Sequence, residues 1–153
     1  PNNFKISRSL TMKAAPIKVF GQVNDFHNWT AWSPWEKMDP AMVRTYSGPA
    51  SGLGSLYEWT GNSKVGRGRM EIIEAQNPGQ ILIQLQFFVP MEASNRTLFR
   101  FEGKDGGTEV TWTMEGPMHY VSKIMCLFMN MDKMVGGDFE KGLASLKVIV
   151  EGA

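Results

Sequence analysis

Two histidines, one cysteine and a scatter of carboxylates are the residues of this chain able to bind a metal, attack a bond or move a proton. His27 and His119 lie on separate segments, and no HxH, HExxH or CxxC spacing occurs, so neither a metal site nor any other cofactor is expected. No GxSxG elbow is present. Cys126 sits in the apolar run IMCLFM with Lys123 as its nearest cation, so it reads as a small buried hydrophobe rather than a reactive thiol. Gly66-Arg67-Gly68-Arg69 falls inside a strand pattern and not at a strand-to-helix turn, which removes the phosphate-loop reading and puts both arginines on an outer, solvated face. General acid–base chemistry remains, and it requires a carboxylate or histidine in an apolar pocket, where desolvation lifts a carboxyl pKa toward neutrality. Asp25, Glu36 and Asp39 flank a tryptophan-rich corner where capping and turn formation account for them, and Asp132 and Asp138 have the same reading. Glu58 alternates out of phase with Tyr57 and Trp59 and so faces solvent. Arg96 and Arg100 share a strand face with Leu98 and Glu102, an outer-face setting; either one turned inward would instead mark a carboxylated ligand.

The strongest local signal is aromatic. Trp29, Trp32 and Trp35 stand three residues apart in NDFHNWTAWSPWEKMD, next to Pro34. Each indole can bury about 150–250 Å² and still offer one N–H donor, so the segment must form a rigid aromatic wall, either a core corner or the mouth of a pocket.

The elements that position these residues follow from periodicity. FKISRSLTM alternates as a half-buried strand from Phe4 to Met12, with an irregularity expected near Ser7 to Ser9. APIKVFGQVND places Pro16 in a first helical turn with Ile17, Phe20 and Val23 on one face, and a second helical turn follows in the Trp corner. Six strand-like pieces come next, VRTYSG, GSLYEWTG, KVGRGRMEIIEAQ, QILIQLQFFVP, SNRTLFRFEG and GTEVTWTMEG, separated by Gly, Pro, Asn and Asp clusters that suit tight antiparallel turns. Alternation assigns Tyr57, Trp59, Gly66, Gly68, Met70 and Ile72 to the inward face. On the later strands it assigns Ile81, Ile83, Leu85, Phe87, Thr97, Phe99, Phe101, Val110, Trp112 and Met114. After Pro117 a short helix, HYVSKIMCLFMNMDK, is expected. Gly136-Gly137 then starts or bends a long amphipathic helix whose stripe runs through Met131, Met134, Val135, Phe139, Gly142, Leu143, Leu146 and Ile149. Six of the 11 methionines (Met114, Met118, Met125, Met129, Met131 and Met134) gather ahead of that helix, as core filler or as an adaptable gate.

The chain has 153 residues, 42% of them hydrophobic, which fits one domain over residues 1–153 that buries roughly two-thirds of its unfolded surface. Sixteen basic and fifteen acidic residues, interspersed, give a net charge of +1 and no footprint for nucleic acid. No apolar run reaches the roughly 18 residues of a membrane span. Seven strands with alternating apolar faces make a strongly curved antiparallel sheet, and one long helix in its concavity leaves a cavity.

The motifs AP-I-KVF, NDF-NW-AWSPWEKMDP, YSGP-GLGS-Y-W-GN--VG-GRMEI, GTEVTW-MEGP and MVGGDFEKGLASLK resemble, in order and over nearly the whole chain, the polyketide cyclase/dehydrase-like branch of the START-like (SRPBCC, helix-grip) superfamily. The landmarks are Ala15-Pro16, Asp25, Trp29, Trp32, Pro34, Gly61, Gly68, Trp112 and the Phe139 to Lys147 helix. The resemblance implies an α+β helix-grip fold, in which a curved seven-stranded antiparallel sheet wraps a long C-terminal helix, with two short helices after the first strand. It also implies a hydrophobic pocket that in different relatives holds lipids, sterols, polyketides or plant hormones. The expected role is binding a small hydrophobic ligand through Trp32, Trp35, Trp59, Met70, Phe87, Phe99, Trp112, Met114, Met134 and Phe139, with no assigned reaction. The alternatives are cyclase/dehydratase-type acid–base catalysis in the same cavity and a protein-interaction module of the co-chaperone type. A cytoplasmic monomer or homodimer is expected, with any membrane contact made through an anchor ahead of Pro1.

Overall fold

The computed structural model describes residues 3–89, 92–117 and 121–152, with residues 121–131 as backbone only. Strand β1 (Asn3–Met12) leads into helix α1 (Pro16–Asn24) and two short 3-10 turns, Phe26–Ala31 and Pro34–Lys37. Strands β2 (Val43–Ser47), β3 (Leu56–Thr60), β4 (Arg67–Gln76), β5 (Gln80–Val89), β6 (Ala93–Lys104) and β7 (Gly107–Pro117) follow, then helix α2 (Val121–Gly152). The strands form one curved antiparallel sheet in the order β1-β7-β6-β5-β4-β3-β2. Hairpins join each strand from β2 onward, and β1 closes the far edge by pairing with β7 over its whole length, Asn3 opposite Pro117 through Met12 opposite Thr108. This is the helix-grip architecture.

The period of two in β5, β6 and β7 does what alternation requires: Ile81, Ile83, Phe99, Phe101, Val110 and Trp112 are all buried on the concave face. The helix side is supplied by Phe139, Leu143, Leu146 and Val150 of α2 and by Val19, Phe20 and Val23 of α1. Burying each such side chain contributes about 1.5–3 kcal/mol, so this layer is the main stabilising unit.

Several expectations are corrected. β1 has no irregularity near Ser7 to Ser9. Arg8 continues the inward alternation of Phe4, Ile6, Leu10 and Met12, and its guanidinium reaches α2, donating to Asp132 at 3.2 Å and to Glu140 at 3.1 Å. The segment before Gly136 is not a separate helix; α2 is a single 32-residue helix that runs straight through Gly136-Gly137. A Cβ on Gly136 would lie 2.2 Å from the Arg8 guanidinium, so the glycine there makes room for a strap from β1 instead of breaking the helix. Gly66 lies before β4 with φ of 62°, a turn position, whereas Gly68 is within the strand. On α2, Met134 is 69% exposed and Val148 is 72% exposed, while Val150 takes the buried place beside the partly buried Ile149. His119, and the side chains of Met118, Cys126, Met125, Met129 and Met131, lie outside the described residues.

Candidate functional site

The Trp corner is built by hydrogen bonds to the end of α1. A helix leaves its last carbonyls without intrahelical partners. Trp29 Nε1 donates to the Val23 carbonyl at 2.9 Å and Trp32 Nε1 to the Gln22 carbonyl at 3.2 Å, so two indoles close the helix while burying their rings. Asp25 starts the first 3-10 turn by accepting from the His27 amide at 2.9 Å. Pro34 opens the second turn and swings Trp35 toward α2, where its ring meets Trp112 and Phe139 edge-on at 5.8 and 6.0 Å. Asp39 accepts from the Ala41 and Asn62 amides at 2.9 and 2.7 Å and thereby ties the corner to the β3–β4 turn. Capping and turn formation thus explain Asp25 and Asp39.

Between the sheet and the middle of α2 lies a cavity of about 200 Å³. Trp35, Trp59, Met70, Phe87, Trp112, Met114 and Phe139 line it, with Trp112 and Phe139 stacked face to face at 4.1 Å. Three of the expected lining residues do not reach it. Trp32 and Phe99, 2% and 0% exposed, form the aromatic layer behind the wall, edge-on to each other at 6.1 Å. Met134 points to solvent because Val135, one residue on, takes the inward position of that helical turn. Gly68 sets the cavity's shape: a Cβ there would stand 2.5 Å from the Trp59 ring, and the missing side chain lets that indole lie flat along the sheet, its Nε1 donating to the Val65 carbonyl at 2.8 Å.

The polar wall is where sequence reasoning fell short. Glu36 is neither a cap nor a solvated turn residue; its carboxylate is buried and faces the cavity. Arg44 Nε donates to Glu36 Oε1 at 2.7 Å and Arg44 Nη2 to the Glu36 carbonyl at 2.9 Å, while the Tyr57 hydroxyl donates a short hydrogen bond to Glu36 Oε2. Burial and the Glu36 carboxylate push the Tyr57 phenol far above its usual pKa, and the same carboxylate raises the Arg44 guanidinium, so Tyr57 stays a neutral phenol and Arg44 a cation. Its signal in the sequence was Arg44, which register places on the inner face with Tyr46, opposite Trp59 and Tyr57. A cation in that phase demands a buried carboxylate. Ser33 and Thr97 add hydroxyls to the wall, and Lys64 stands exposed at the rim. The buried Trp112 Nε1 has no acceptor among the described residues.

The remaining titratable candidates lie elsewhere. Glu58, Arg96 and Arg100 are exposed on the outer face, and Arg67 lies over the Phe88 ring at 4.8 Å. Burial raises the Asp138 carboxyl, and Asp132 pairs with Arg8. His27 borders a separate shallow hollow, its Nδ1 2.7 Å from Asp25 and its ring stacked on Tyr46 at 4.0 Å. Among the described residues no three His, Cys, Asp or Glu side chains are grouped to hold a metal ion, and no helix is long and apolar enough to cross a membrane.

Solved structures share this architecture at low identity, a level at which likeness shows the fold alone. An Aha1 dimer from Colwellia psychrerythraea is 19% identical with a TM-score of 0.67, covering 97% of this chain and 96% of that one. The di-domain ARO/CYC StfQ from the steffimycin biosynthetic pathway is 9% identical with a TM-score of 0.74, covering 98% of this chain and 51% of that one. A protein of unknown function from Staphylococcus aureus is 8% identical with a TM-score of 0.72, covering 98% and 94%. A search of curated proteins gave no match. The family described as "Polyketide cyclase / dehydrase and lipid transport" matches residues 3–151, and with the hollow helix-grip sheet in view the chain belongs to that family.

Proposed function

We propose that this protein binds a small hydrophobic molecule in the cavity between the sheet and α2. The observation that carries the reading is a cavity of about 200 Å³ walled by four indoles, Phe87, Phe139 and three methionines. A well-packed interior keeps few voids larger than a water molecule, so a hollow of this size lined by rigid aromatics is a binding feature. An apolar cavity of about 150 Å³ accepts benzene, so the volume suits a guest of one or two rings better than a long acyl chain. The family's description names polyketides beside lipid transport, and of the two the volume suits polyketide-like rings.

An acid–base reaction in the same cavity is the second reading, favoured by one observation, the inward Glu36 carboxylate bonded to Tyr57. Both of its oxygens are already engaged, which suits recognition better than proton abstraction.

A titration with the neutral two-ring fluorescent dye 1-naphthylamine tests the binding reading. The dye is expected to bind saturably to the wild-type protein, and Leu85→Trp, which puts an indole into the hollow, to abolish the signal while the protein still unfolds cooperatively. Equal dye affinity in both proteins would sink the cavity reading.

A further inference from the structure

The polar groups that Glu36 and Tyr57 bring to the cavity have hydrogen-bonding capacity of one sign only. A carboxylate offers about four lone-pair positions. Arg44 Nε fills one on Oε1 and the Tyr57 hydroxyl one on Oε2, and no other donor reaches either oxygen among the described residues. The Tyr57 proton is directed at Glu36, Arg44 Nη1 and Nη2 donate to the Met42 and Glu36 carbonyls at 3.3 and 2.9 Å, and Arg44 itself does not line the cavity. What remains open on this wall is acceptor capacity on a negatively charged group that water scarcely reaches, its side chain being only 6% exposed, while Trp112 Nε1, without an acceptor among the described residues, is itself covered and offers a guest no exposed donor. Ser33 and Thr97 carry hydroxyls that can serve either as donor or as acceptor, so the charge on Glu36 decides the preference. Lys64 is exposed at the rim, where solvent screens it, and does not reverse that sign.

We infer that the ligand is an uncharged ring compound carrying a hydrogen-bond donor, a phenolic or alcoholic hydroxyl, which it presents to the Glu36 carboxylate. The inference rests on the cavity reading above and narrows it. A guest whose polar end only accepts, an ether or ketone, leaves those lone pairs without a proton. A guest carboxylate is repelled by Glu36 in a medium where like charges are costly.

Three matched probes separate the outcomes by calorimetric titration: 2-naphthol, 2-methoxynaphthalene and 2-naphthoate. The wild-type protein is expected to bind 2-naphthol roughly tenfold more tightly than the methyl ether, the difference made by one charge-assisted hydrogen bond, and to bind the carboxylate most weakly. Glu36→Gln is expected to erase the naphthol preference and to improve naphthoate binding. Tyr57→Phe frees the second carboxylate oxygen, so it is expected to keep or increase the preference, a direction that holds even if Glu36→Gln does not fold. Equal affinity for naphthol and its ether in the wild type overturns the inference while leaving the cavity reading in place, as does a lost preference in Tyr57→Phe. Failure of both neutral probes to bind overturns the cavity reading, and this inference with it.

Discussion

The two ends of the same strands behave differently. At one end of the β4–β5 pair, Ile72 faces Ile83 and both are fully buried; two residues along, Met70 faces Leu85, and then Gly68 faces Phe87, with Met70, Leu85 and Phe87 at the hollow. Alternation and hydrophobicity hardly change between these ends. What changes is the opposite layer. α1 brings Val19, Phe20 and Val23 to one end, and α2 brings Leu143, Leu146 and Val150, so every inward side chain there has a partner. The other end is faced, among the described residues, by Val135, Phe139 and the Trp35 ring, with the hollow between them and the sheet. Among the described residues, the cavity lies where the inward side chains of the sheet are met by fewer helical partners.

The comparison breaks most readily on one strand. Ile83→Ala at the filled end is expected to cost about 2–5 kcal/mol, whereas Leu85→Ala, already beside empty space, should cost about half of that or less while enlarging the hollow. Urea denaturation measures both, and equal losses would mean that the two ends are packed alike. Gly68→Ala sharpens the contrast with a smaller effect, about 1–3 kcal/mol, because the new methyl presses on Trp59 and on the Gln86 carbonyl. The displaced indole should also lower dye affinity, so retained stability with retained binding would show that Gly68 does not shape the site. The smallest effect is confined to alkaline pH. Folded Tyr57 keeps its proton above the value of about 10 at which an unfolded tyrosine releases it, so the stability it contributes is complete below pH 10 and is lost as pH rises beyond that. Tyr57→Phe should flatten that part of the stability profile, and an unchanged slope above pH 10 would show that the phenol is not held this way.

Much of the filled end was legible in the sequence. Its residues sit on strands where a period of two is unbroken, and the inward assignment of Ile81, Ile83, Phe99, Phe101 and Val110 needs nothing beyond that period. The site was legible only in part. Trp59, Met70, Phe87, Trp112 and Met114 also follow from alternation, but whether an inward residue meets a partner or a void depends on the facing helices, which explains the placement of Phe99 and Trp32 behind the wall. Glu36 lies in a 3-10 turn, where no periodicity marks an inward face, and its partners come from two other strands. Gly136-Gly137 misled for a related reason: the cost of glycine in a helix is a local quantity, and the Arg8 side chain laid against it is a tertiary one.

The distribution of indoles also gives this protein a built-in optical reporter. Trp29 and Trp32 lie 4.7 Å apart, close enough for their transitions to couple, and Trp32 sits behind the wall. Trp29, Trp35, Trp59 and Trp112 border the space a guest would fill. Near-ultraviolet dichroism of the coupled pair therefore reports whether the chain is folded, while emission from the indoles that border the hollow reports what occupies it. One unlabelled sample can follow folding and occupancy as separate signals.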